Sequence, residues 1–107
     1  MTVYTEKELE DVCPLAIMIG TKQERRKYYS AIIGIAKDNS HIAYSFERLV
    51  RCYMEANNWS WEEAVEWIDT NVEPALPYYG AHAPVVLNNN FVSSRNRTYV
   101  PVKIKED

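Results

Sequence analysis

From Ser45 to Gly80 the chain reads SFERLVRCYMEANNWSWEEAVEWIDTNVEPALPYYG, and apolar residues recur at helical spacing twice within it. Phe46, Leu49, Val50, Tyr53 and Met54 fall at i, i+3, i+4, i+7 and i+8, which sets all five on one face of a helix. Trp61, Ala64, Val65, Ile68 and Val72 repeat the pattern. Ser45 can cap the first helix. Ser60 and Glu63 form a capping box for the second, each satisfying a free amide of the other's turn. The spacing therefore predicts helices over 46–58 and 61–71, joined at Asn57-Asn58-Trp59. Pro74 and Pro77 end or kink the second near Thr70 to Val72.

A chain of 107 residues, 47% hydrophobic with eight Tyr and three Trp but three Gly, has large side chains to bury and room for one core. The expected organisation is a single compact domain over residues 1–107. Its fold class is α+β and mainly helical, with the helix pair packed on a small antiparallel sheet from the C-terminal half. Val85 to Leu87 reads as a strand. Thr98, Val100, Val102 and Ile104 alternate along another, and Pro101 assigns that strand to a sheet edge. Thr5 and Glu8 offer a second capping box, opening a short helix over Glu6 to Val12 that stops before Pro14. Leu15 to Ile19 fits a short buried helix or a strand equally. Residues 28–44 also fit two patterns. One is a helix with Tyr28, Ala31, Ile32, Ile35 and Ala36 on a face, favoured by the helix-forming Glu24 to Lys27. The other is a hairpin turning at Asp38-Asn39.

Charge and cysteine usage narrow the function classes. The net charge of −3 provides no general attraction to nucleic acid or anionic membrane. Between Ala43 and Tyr79 seven acids face only Arg48 and Arg51, so a DNA-binding helix-turn-helix is the least favoured reading: its second helix would repel phosphate. Cys13 and Cys52 are far apart, follow no metal spacing and adjoin apolar residues. They read as buried free thiols of a reducing cytoplasm, and neither a metal nor a cofactor is expected.

Three groups of residues are candidates for a site. Arg25 and Arg26, inside a basic run from Lys22 to Lys27, and the looser pair Arg95 and Arg97 would bind a nucleotide or other anion if they converge. His82 lies with Tyr78 and Tyr79 in a loop that also carries Gly80, while His41 stands in another segment. Trp67 falls at the margin between the acidic face and the apolar stripe of its helix, a stripe that Trp61 already serves. Trp67 with Tyr78 or Tyr79 would therefore form a partner-binding patch, covered in a homo-oligomer or a complex.

The runs Ala31 to Ala36, Tyr44-x-Phe46-Glu47-Arg48-Leu49-Val50, Trp61-Glu62-Glu63-Ala64-Val65-Glu66-Trp67-Ile68-Asp69-x-Asn71 and Tyr79-Gly80-x-x-x-Pro84-Val85-Val86 resemble the small uncharacterised proteins of tailed bacteriophages and prophages. The likeness spans about Ala31 to Leu87 and departs from that pattern at Glu73-Pro74. It carries over no catalytic residue. It implies a phage accessory protein in the cytoplasm of an infected bacterium. The expected function is non-enzymatic: binding, and thereby inhibiting, a host or defence protein. The alternative is a homo-oligomeric nucleotide- or anion-binding protein built on the arginines and the Tyr78–His82 loop.

Overall fold

A computed structural model describes residues 2–88 and 99–105. The chain opens with strand β1 (Thr2–Thr5) and helix α1 (Glu6–Val12). The capping box forms there as the residue types require, with Glu8 N–H donating to Thr5 Oγ1 at 3.2 Å and Thr5 N–H to Glu8 Oε1 at 3.3 Å. Leu15 to Ile19 is neither helix nor strand. Its irregular backbone is satisfied bond by bond: Ile17 N–H donates to the His82 carbonyl at 3.1 Å, and Ile19 N–H to the Tyr44 hydroxyl at 3.0 Å.

The expected helix over 28–44 gives way to its alternative. Arg25–Ala31 is a 3-10 helix, followed by β2 (Ile32–Ala36), a turn, and β3 (Ile42–Ser45). The β-branched Ile32, Ile33 and Ile35 suit a pleated surface, and Asn39 accepts the left-handed φ of 61° that closes the turn. Helix α2 (Phe46–Asn57) starts on Ser45, whose hydroxyl accepts Arg48 N–H at 3.3 Å, and ends at Asn58 in the left-handed conformation. Helix α3 (Trp61–Trp67) starts on the Ser60–Glu63 capping box and passes into a π turn, Ile68–Val72. A 3-10 segment, Glu73–His82, follows and is broken at Gly80, whose φ is 85°. Strands β4 (Val85–Leu87) and β5 (Tyr99–Lys105) complete the described chain.

The five strands form one sheet in the order β1-β5-β2-β3-β4. It is mixed, not antiparallel as expected: β1 runs parallel to β5 and β4 parallel to β3, around an antiparallel β5-β2-β3 centre. Nor does it come from the C-terminal half alone, because β1 to β3 precede the helices. Strand β5 is an interior strand, contrary to the edge position that Pro101 suggests. Pro101 faces Gly34 on β2, whereas pairing with the described part of β1 begins only at Val102.

Burial follows the sheet. Leu9, Tyr28, Tyr29, Ile32, Ile35, Ile42, Tyr44, Leu49, Val50, Ile68 and Val102 belong to the main core between the sheet and the helices. Ile33, Ala36, Ala43 and Tyr99 form a smaller cluster joined by Val85 and Leu87. This two-faced burial explains why β2 and β3 read as continuous apolar runs without alternation. Along β5, Tyr99, Val102 and Ile104 are buried but Val100 is exposed. The helices are not an equal pair laid on the sheet: α2 packs chiefly on Arg25–Ala31, with the rings of Tyr28 and Tyr53 4.8 Å apart, and α3 is short. Among the described residues no helix is long and apolar enough to cross a membrane.

Candidate functional site

The joint between α2 and α3 makes the most distinctive surface. Asn58 turns the chain so that Trp59 lies half-buried against the core, and Trp67, two turns along α3, comes to it with ring centroids 5.4 Å apart and planes tilted by 49°. The two indoles are shared by two adjoining depressions. The larger, about 580 Å³, runs between the indoles, Tyr79 and the turn that precedes the 3-10 helix at Thr21 and Glu24. Tyr28 and Tyr53 lie at its base and are buried. The smaller, about 300 Å³, is walled by Glu63, Glu66, Thr70 and Asn71. The π turn presents these last two side chains, and Asn71 Nδ2 donates back to the Trp67 carbonyl at 3.3 Å.

The electrostatics of this cleft are one-sided. Ser60 donates its backbone N–H to Glu63 at 3.0 Å, which lowers the Glu63 pKa and keeps the carboxylate charged. Glu24 accepts the Thr21 hydroxyl at 3.1 Å. At the base, burial pushes the Tyr28 and Tyr53 hydroxyls above their ordinary pKa, so both are neutral at physiological pH. The cleft is therefore an aromatic surface with a negative rim.

The candidate residues scatter over three places. Trp67 and Tyr79, each 42% exposed, meet in the cleft; Tyr78 is 90% exposed and lies outside its lining. His82 joins the turn between β2 and β3 instead. Its Nδ1 donates to the Ser40 carbonyl at 3.2 Å, His41 Nδ1 donates to the Ala83 carbonyl at 2.9 Å, and the two rings stand 6.3 Å apart. The histidines, far apart in sequence, thus form a reciprocal clasp holding the segment before β4 to the sheet. Trp61, expected in the core, is 40% exposed, because Trp59 takes the place against the core beside the joint.

Arg25 and Arg26 are both engaged with acidic side chains of α1. Arg25 is bonded to Glu6 at 3.2 Å and to Glu10, and Arg26 reaches the other Glu6 oxygen at 2.8 Å. Burial alone would raise the Glu6 pKa, but the hydrogen bond from Arg25 and the charge of Arg26 outweigh it and hold it below the usual value. Arg26 also lines a depression of about 500 Å³ with Lys27, Lys105, Ser30 and Glu55. Arg95 and Arg97 lie outside the described residues. Among the described residues no group of His, Cys, Asp or Glu is placed to hold a metal, and Cys13 and Cys52 are buried and not joined in a disulfide.

Sequence reasoning missed Glu24, Tyr28, Tyr53 and Trp59 as parts of one cleft. The tyrosines read only as core, and Trp59 only as part of a joint. The signal that was present is the indole spacing: Trp59 and Trp67 flank a short helix whose first turn is acidic. The chain matches no protein-family model, no curated protein and no solved structure.

Proposed function

We propose that this chain is a non-enzymatic accessory protein of the bacteriophage type, which acts by binding a host or defence protein and blocking it. The observation that carries the reading is the exposure of Trp67, Tyr78 and Tyr79, at 42%, 90% and 42%, next to a chain that has ample core to bury aromatics elsewhere. Tryptophan and tyrosine are the residues most enriched among interface anchors, where one side chain contributes about 2 kcal/mol or more. A solvent-facing pair around a preformed cleft gives a partner both an anchor and a pocket. The likeness to small proteins of tailed phages and prophages supplies the setting, the cytoplasm of an infected bacterium. The test is Trp67→Ala, examined by sedimentation and by pull-down from infected cells. The expected result is a folded variant that loses its partner or its self-association. A variant that keeps both removes the reading.

A second reading, a homo-oligomeric nucleotide- or anion-binding protein, is favoured by the depression where Arg26, Lys27 and Lys105 converge. Against it stands the engagement of Arg25 and Arg26 with Glu6, which must be broken or shared before either grips a phosphate. Melting temperature measured with rising nucleotide or inorganic phosphate separates the two: binding to the native state raises it by mass action.

A further inference from the structure

An apolar docking groove would need no charge at its rim, yet both depressions of the cleft at Trp59 and Trp67 are lined by carboxylates. Glu24 lines the larger depression, and Glu63 and Glu66 line the smaller. Among the described residues neither depression is lined by a lysine or an arginine, so the rim is not neutralised by the cleft's own side chains. Aromatic ring faces carry negative potential and attract cations, and a concave, low-dielectric wall concentrates the field of the carboxylates above it. A phosphate or a carboxylate is repelled by both. A neutral apolar side chain would gain contact with the rings, but it would strip water from the carboxylates without replacing it. A cation gains from both.

The shape narrows the choice of cation. With centroids 5.4 Å apart the indoles leave no room for a group between them, since stacking on both sides needs about 7 Å. The ligand must instead lie on ring surface turned to the cleft, which favours a flat cation over a spherical one. Guanidinium is flat, stacks on aromatic rings and offers five donors to carboxylates, whereas ammonium is a compact, strongly hydrated charge. An independent feature marks the same wall: the π turn Ile68–Val72 replaces the regular end of α3 where Thr70 and Asn71 meet the cleft, an irregularity that recurs at functional sites.

The geometry points to an arginine-bearing segment of a partner protein as the occupant of this cleft, one guanidinium stacked against Trp67 beside Glu66 in the smaller depression and a neighbouring one set toward Glu24 in the larger. This rests on the reading of the cleft as a docking surface and adds the chemistry of what docks.

The experiment titrates the full chain with three capped peptides of one length. The first carries two adjacent arginines between Gly-Ser flanks, the second citrulline in their place and the third glutamate. Tryptophan fluorescence and calorimetry follow binding. The arginine peptide should saturate, and citrulline, which keeps the shape and loses the charge, should bind at least about tenfold more weakly. The glutamate peptide should not bind. The variant Glu24→Gln/Glu66→Gln alters two exposed side chains and should keep its circular dichroism while losing most of the affinity, as should Trp67→Ala. Equal binding of citrulline, no binding of the arginine peptide, or an unchanged affinity in the glutamine variant overturns the assignment. Pull-down from infected cells separates this failure from that of the docking surface. If Trp67→Ala loses its partner while no arginine peptide binds, only the identity of the occupant falls. If Trp67→Ala keeps its partner, the docking surface and its occupant fall together.

Discussion

Tyr44 shows how much one side chain is asked to do in this core. It is fully buried, and its hydroxyl accepts the Ile19 amide at 3.0 Å, which anchors the irregular segment between α1 and Arg25 to strand β3. Burial raises its pKa above the ordinary tyrosine value, so the hydroxyl is neutral at physiological pH. Tyr44→Phe keeps the packing but leaves the Ile19 N–H without its acceptor, and urea unfolding should record a loss of about 1–3 kcal/mol. Apolar truncation costs more, because a cavity is added to the lost transfer energy. Leu49 and Ile68 are both fully buried, so Leu49→Ala or Ile68→Ala should each lose about 2–5 kcal/mol. A melting temperature within a degree or so of wild type for either would contradict their place in the core. Trp61→Ala, at a 40% exposed position, should lose less than Ile68→Ala.

Helix α3 is seven residues long, too short to persist by propensity, so its start signal carries weight beyond its size. Ser60 accepts Glu63 N–H at 3.2 Å while Glu63 accepts Ser60 N–H at 3.0 Å. Ser60→Ala removes one of these bonds and should cost about 0.5–2 kcal/mol in chemical denaturation. The same helix places Trp67 against Trp59, so the variant should also change the tryptophan fluorescence of the folded state. At the other end the π turn brings Ile68 and Val72 to the core while Asp69 and Thr70 face solvent. The widened turn thus reconciles a buried stripe with the proline at 74 that ends the helical register.

Across the whole molecule, Glu6 ties the chain's first helix to the segment before β2 through Arg25 and Arg26. Its pKa is depressed in the fold. The stability it contributes is therefore present above its ordinary value near 4.5 and is lost as pH falls through the lower, folded value. Glu6→Gln should flatten the acid limb of the stability curve below about pH 4.5 and leave its dependence near neutrality unchanged, as read from melting temperature against pH. The pairs are partly solvated and their individual energies are modest, so the larger effect is positional. Arg25 and Arg26 of the basic cluster are thus engaged in joining two elements, while Glu24, Glu63 and Glu66 line an aromatic cleft that has no lysine or arginine in its described lining.

Local chemistry by itself determined much of this protein. The two capping boxes, the joint at Asn58, the apolar stripe of α2 and the stop before Pro14 follow from neighbours within a few residues, where hydrogen-bond geometry and helical period act without the rest of the chain. Tertiary structure decided what depends on partners distant in sequence. Residues 28–44 became a 3-10 helix and two strands because β5 and β4 supplied flanks on which the isoleucines pair and bury, although the helix formers before them favoured another outcome. Pro101 entered the interior of the sheet because β1 and β2, both distant from it in sequence, flank β5 on its two sides. His41 met His82, and Trp59, Trp67, Tyr79 and Glu24 came to one cleft, because chain crossings set those contacts and sequence spacing does not record them.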